Sequence, residues 1–315
     1  MDGTGNPWFR ADIGIRKGKI VGLGRLDRRE TKKVLDAEGY YVSPGFIDIH
    51  SHSDLTLLII PRADSRIRQG ITTEINGNCG MSLAPISEKY YELLRKSWGE
   101  IAKEISWDWH SLEEYLNTLE KQGVALNVGQ LIGHGTLRMS VMGLEKRLAT
   151  EKELNEMKNL IVESMKAGAF GMSSGLVYPP GCYSNTEELI ELCKVVARYG
   201  GIYTSHIRGE RESIVEAVKE AIEIGRKAGI PVQVSHNCPK YGAWHRLNET
   251  LPLYEVARMN GVEVTLDNDV HTDFGTYLLK ALPQWVYERG TKEAIAILKD
   301  PKNRERIKEE IIEDK

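Results

Sequence analysis

Phe46-Ile47-Asp48-Ile49-His50-Ser51-His52 alternates apolar and polar side chains with the period of two that a β-strand imposes. Asp48, His50 and His52 therefore share one face, Ile47 and Ile49 take the other, and two imidazoles converge at the C-terminal end of a strand. In a (β/α) barrel that is the end where the active site is built. Short apolar or β-branched runs recur downstream at 71–76, 127–132, 170–175, 202–207, 231–236 and 262–267. They alternate with amphipathic stretches of helical length at 111–122, 151–167, 185–199, 211–228 and 249–260, with Gly168, Gly200, Gly229 and Gly261 placed for left-handed C-caps. With 45–50 these runs make seven strands, and the repeated βα pattern predicts an α/β fold of the (β/α)8 TIM-barrel type. Residues 276–314 read as helical and increasingly charged and supply no eighth strand, so the barrel is expected to be incomplete. Upstream, 12–24 reads as two short strands about a Lys-Gly turn, part of a small β domain over 1–40, with the barrel over 41–315.

Three other strands end in metal-ligand chemistry. Strand 71–76 runs into Gly77-Asn78-Cys79-Gly80, strand 202–207 carries His206, and strand 231–236 closes on His236. His-x-His alone is equally a surface pair, and any one of the others is equally a buried thiol or a hydrogen-bonded core histidine. Five such ligands delivered by four strands to one rim point instead to a metal centre. Thiolate with imidazole matches the borderline softness of zinc. Cys79, His206 and His236 form a candidate three-ligand site with an open fourth position, and Cys79 is placed to bridge to a second ion at His50 and His52. Zinc lowers the pKa of bound water and polarises a carbonyl, which makes hydrolysis of an amide or other C–N bond the natural reaction.

The 315 residues carry 42 Lys+Arg against 45 Asp+Glu, a formal charge of −3, with no long basic run to grip nucleic acid or an anionic membrane. A small-molecule substrate is the expected partner. At 41% hydrophobic residues, with no stretch near the ~18 apolar residues of a bilayer span, a soluble chain is expected. Four scattered cysteines make no disulfide framework, and the N-terminus shows no export signal, so a cytoplasmic location is expected.

Pro44-Gly45-Phe46-Ile47-Asp48-Ile49-His50-Ser51-His52-Ser53-Asp54 resembles the first-strand signature of the amidohydrolase superfamily. Later blocks narrow the resemblance to the N-acyl-D-amino-acid deacylases, or D-aminoacylases: GITTEINGNCGMSLAP (70–85), GHGTLR (133–138), GAFGMSSGLVYPPG (168–181), YGGIYTSHIRGE (199–210) and GIPVQVSH (229–236). The similarity runs from about residue 2 to residue 290, and the cysteine after Gly-Asn stands where many other amidohydrolases carry a modified lysine. The resemblance implies a composite β domain, a metal-bearing barrel and removal of the N-acyl group from D-amino acids. It implies tight zinc at Cys79, His206 and His236, a weaker position at His50 and His52, and substrate contact by Tyr178.

Three features depart from the family pattern. The family places a lysine two residues beyond the sixth-strand histidine, where this chain has Cys238, with Lys240 two positions later. The family's Tyr-Pro-Tyr run near the seventh strand is replaced by Asp267-Asn268-Asp269-Val270-His271-Thr272-Asp273. No residue is assignable to the family's eighth-strand catalytic aspartate, and an opening strand before Asp2 is missing too. The expected consequence is a truncated or split deacylase with impaired proton delivery, for which a second polypeptide would supply the missing strand. Asp269 and His271 are the substitute candidates for proton transfer.

Among the remaining residues, His134 is a candidate to donate to a polarised carbonyl, or equally to hold a turn. Arg138 and Arg208 are candidates for the substrate carboxylate, although an arginine on a loop is more often solvated or in a structural pair. Asp48 is a candidate to orient one imidazole. The alternative functions are a cyclic amidase of the dihydroorotase or hydantoinase kind, and an inactive or split fragment that binds metal only.

Overall fold

A computed structural model describes residues 1–240, 243–268, 282–287 and 291–313. Strands β1 (Asp12–Arg16) and β2 (Lys19–Gly24) form an antiparallel hairpin. Lys17 and Gly18 both take positive φ, 51° and 73°, at its tip, the pair of left-handed residues that matches the twist of a two-residue hairpin. The Lys-Gly turn read from the sequence is therefore the turn observed.

The second sheet consists of β3 (Phe46–Asp48), β4 (Ile71–Asn76), β5 (Asn127–Gly133), β6 (Gly171–Gly175), β7 (Ile202–His206), β8 (Val232–Val234) and β9 (Val264–Leu266). All neighbours are parallel and follow chain order, so every C-terminal end lies on one rim. Each strand falls inside its predicted span or within one residue of it. Among the described residues the sheet has seven strands, with β3 and β9 as its edges, which agrees with the incomplete barrel expected from the sequence.

Helices Leu112–Gln122, Glu151–Lys166, Thr186–Ala197, Ile214–Ala228 and Leu247–Met259 lie between the strands in sequence. Two of them start on capping boxes, Ser111 with Glu114 and Thr150 with Glu153, each cap contributing about 1 kcal/mol. Their inward faces, including Met157, Ile161, Leu189, Leu192, Val218 and Ile224, join the strands in one continuous core. The 86–110 excursion is anchored by Trp107 and Trp109, both buried and stacked at 5.2 Å; their indole N–H groups donate to Ala102 O and Leu83 O. The C-terminal helices Gln284–Tyr287, Thr291–Lys299 and Pro301–Glu313 close around Val286, Ala294 and Ile307, a small cluster of their own.

Candidate metal centre

The turn after β4 is built for close approach. Gly77 has φ 76°, and a Cβ there would stand 2.2 Å from Leu131 O, so no side chain fits. Cys79 follows with φ 53°, and His236, two residues beyond β8, has φ 33°. Non-glycine residues in the left-handed region cost about 1–3 kcal/mol each and persist where the surroundings over-determine them, most often at functional sites. Both of these residues point into the same cluster.

Cys79 Sγ lies 3.3 Å from His50 Nε2 and 3.8 Å from His236 Nε2. His206, the last residue of β7, places Nδ1 2.9 Å from that same His236 Nε2. Cys79, His206 and His236 thus hold their donor atoms within 4.8 Å of one another, and so do His50, His52 and Cys79. The thiol is common to both groups. All five metal-ligand candidates read from the sequence come together, although His52 remains exposed at the edge.

Burial opposes ionisation of the Cys79 thiol, but hydrogen bonds with His206, His236, His50 and His52 outweigh it and hold the thiol well below its ordinary value. Burial likewise pushes His50 down, yet Asp267 and Cys79 raise it to about 10, and Cys79 with Glu210 raises His236 to about 9. Electrostatics thus favour a thiolate at Cys79 beside protonated rings at His50 and His236. That donor set fits a divalent cation of borderline softness, which would displace those protons and occupy their place.

The carboxylate that meets an imidazole is not the expected Asp48. Asp48 accepts from the backbone N–H of His50 at 3.1 Å and faces Arg66 Nη1 at 3.4 Å, so it holds the turn rather than the ring. Asp267, directly after β9, takes the ring: both its oxygens lie 3.2 Å from His50 Nδ1. It also accepts from the His236 backbone N–H at 2.6 Å and from Gln233 Nε2 at 3.0 Å. Burial raises the Asp267 carboxyl, but these donors, His50 first, bring it below its usual range.

Tyr178 stands edge-on to His206 with ring centroids 4.9 Å apart, which puts it beside the cluster. His134 is fully buried, with Nε2 2.8 Å from Glu188 Oε1. Arg138, also fully buried, donates Nη1 to the same carboxylate. Arg208 is committed in the same way, donating Nε to Glu220 Oε2 at 2.9 Å and Nη1 to Cys182 O at 3.3 Å. His134 and Arg208 thus take the structural partners that were the alternative to substrate contact. Asp269 and His271 lie outside the described residues. Asp267 and Glu210 are the carboxylates beside the cluster that sequence reasoning did not single out as imidazole partners. Glu210, four residues after a strand-end histidine, was the one with a local signal.

A parallel βα sheet carries these imidazoles and the thiol on its C-terminal rim, and the chain belongs to the amidohydrolase family, which matches residues 33–237. It is 39% identical over 275 residues to D-aminoacylase of Alcaligenes xylosoxydans xylosoxydans, covering 85% of this chain and 54% of that protein. Among solved structures it resembles the N-acyl-D-glutamate deacylase of Bordetella bronchiseptica complexed with zinc and a phosphonate inhibitor. The TM-score is 0.79 at 36% identity, covering 86% of this chain and 56% of that one. A D-aminoacylase described as having a binuclear metal centre gives a TM-score of 0.76 at 37% identity, with 86% and 56% covered. The chain spans about half the length of the curated relatives it matches. Among the described residues no helix is long and apolar enough to cross a membrane.

Proposed function

We propose that the protein removes the N-acyl group from N-acyl-D-amino acids, with zinc held by Cys79, His206 and His236 and a weaker second position at His50 and His52. One observation carries the reading: the Cys79 thiol sits 3.3 Å and 3.8 Å from imidazoles delivered by two other strand ends of the same rim. The similarity to D-aminoacylase and to the N-acyl-D-glutamate and N-acyl-D-aspartate deacylases supports the substrate class. The thiol at 79 also sets this reading ahead of a cyclic amidase.

Bound there, zinc would supply Lewis acidity toward an acyl carbonyl and toward water. The chain's own residues hold the parts in place. Asp267 receives the Nδ1 side of His50 and ties down the backbone of His236, so one carboxylate couples both metal positions. Tyr178, packed against His206, is the side chain we assign to contact with the acyl amino acid, a reading its position beside the cluster supports. We assign no described residue to proton delivery. A further strand beside β3 or β9, and the acid/base aspartate with it, would come from the same chain or from a second polypeptide. A reducing cytoplasm would keep Cys79 available as a thiolate.

The test is release of D-methionine from N-acetyl-D-methionine by the purified chain with zinc, alone and mixed with the C-terminal half of a relative, beside Cys79→Ala. Zinc-dependent turnover that disappears in Cys79→Ala bears the reading out. No turnover in either wild-type sample, with zinc shown to be bound, overturns it.

A further inference from the structure

Glu210 stands on the far side of the two imidazoles that face Cys79. Its Oε1 lies 3.1 Å from His236 Nδ1 and its Oε2 3.4 Å from His206 Nε2. These are the ring nitrogens left over once His206 Nδ1 and His236 Nε2 turn toward each other and toward the thiol. All three side chains are largely buried, between 5% and 14% exposed, so water does not replace a missing acceptor. The Glu210 backbone is fixed by the Lys240 backbone N–H, which donates to its carbonyl at 2.7 Å, and the Lys240 ammonium lies 3.9 Å from the carboxylate Oε1.

An imidazole that ligates a metal through one nitrogen carries its proton on the other, and that N–H needs an acceptor to fix tautomer and ring orientation. We infer that Glu210 is the shared positioning residue of the primary metal site: one carboxylate, 3.4 Å from His206 Nε2 and 3.1 Å from His236 Nδ1, stands where it would receive the proton of each ring in the loaded site and so select opposite tautomers in two ligands at once. Neither ring could ligate through that nitrogen while it donates to Glu210. The two His ligands are therefore set as a pair, and a neutral amide cannot do the same, since Gln offers one oxygen acceptor and turns an NH2 group toward the second ring. The inference rests on the assignment of zinc to Cys79, His206 and His236.

The experiment measures zinc affinity by chelator competition for the wild-type chain and for Glu210→Gln, Glu210→Asp and Glu210→Ala, with circular dichroism confirming the fold. Imidazole nitrogen NMR reads the tautomers. Glu210→Gln and Glu210→Ala are expected to lose about 10–100-fold in affinity, with Glu210→Asp intermediate. In the loaded wild-type chain, His206 should report the Nε2–H tautomer and His236 the Nδ1–H tautomer, and Glu210→Gln should broaden or mix one of them. Affinity within threefold of wild type together with unchanged tautomers overturns the inference. So does a cobalt spectrum showing that the carboxylate itself is a ligand. A folded wild-type chain that fails to bind zinc overturns the metal assignment along with it, whereas failure to hydrolyse the acyl amino acid bears only on the proposed substrate.

Discussion

Removing the Glu188 carboxylate should destabilise the fold by about 4 kcal/mol, for a reason visible in its partners. His134 Nε2 lies 2.8 Å from Oε1, and Arg138 donates Nη1 to both oxygens. The side chains of His134 and Arg138 are 0% exposed and that of Glu188 only 5%. Breaking a buried ion pair by deleting one partner costs about 3–5 kcal/mol, because the remaining charge is left without compensation. A stranded imidazole N–H adds about 1 kcal/mol or more, though the two losses overlap. The pKa leads to a similar figure. Burial pushes Glu188 up, but His134 and Arg138 outweigh it and bring the carboxyl down to about 2 from 4.5. A group lowered on folding contributes stability that is full above its unfolded value and is lost as pH falls toward the folded one. The wild-type chain should accordingly lose about 3 kcal/mol as pH falls from about 4.5 to about 2, a slope that Glu188→Gln should lack. Urea unfolding followed by the fluorescence of Trp107 and Trp109 measures both effects, and Arg138→Met combined with Glu188→Leu should recover most of the loss. A deficit below 1 kcal/mol in Glu188→Ala, or no recovery in the double variant, would refute the reasoning.

Further outcomes are expected elsewhere in the molecule. Cys79→Ser should abolish the sulfur-to-metal charge-transfer band of the cobalt-loaded chain while leaving its secondary structure intact, read by absorption and circular dichroism. Gly77→Ala should cost several kcal/mol or prevent folding, since its Cβ meets Leu131 O at 2.2 Å and Gln130 Nε2 at 2.5 Å, and wild-type urea stability would contradict this. Trp109→Ala should lose about 3–5 kcal/mol by emptying a fully buried site, again checked by urea unfolding. Tyr178→Phe should alter KM or kcat for N-acetyl-D-methionine without changing zinc affinity; equal kinetics would remove Tyr178 from the substrate contacts.

The strand ladder and the five ligands were legible because both obey local rules. Period-two alternation exposes Asp48, His50 and His52 on one face, and the interleaved helices announce themselves by capping residues and glycine exits. The groups that orient those ligands follow no such rule. Asp267 reaches His50 across 217 residues of sequence, and only the curvature of the sheet brings β9 around to β3. Glu188 looks like one more charge on an amphipathic helix, and only the depth of Arg138 turns it into a buried counter-ion. For His134 and Arg208 the sequence left two roles open for the same reason: a strand-end position indicates which rim a residue is near, not which way its donors point. Glu210 had a faint signal in its spacing of four from His206, but in a charged loop that spacing is easily taken for a solvated pair.

The spacing of the ligands along the chain also orders events during synthesis. His50 and His52 are already made when Cys79 is added, whereas His236 follows Cys79 by 157 residues, about 8–30 s of translation at ordinary elongation rates. A nascent chain therefore owns the His50, His52 and Cys79 trio well before the other one. The inner trio is complete only once β7 and β8 have been made, and from then on both trios share the one sulfur.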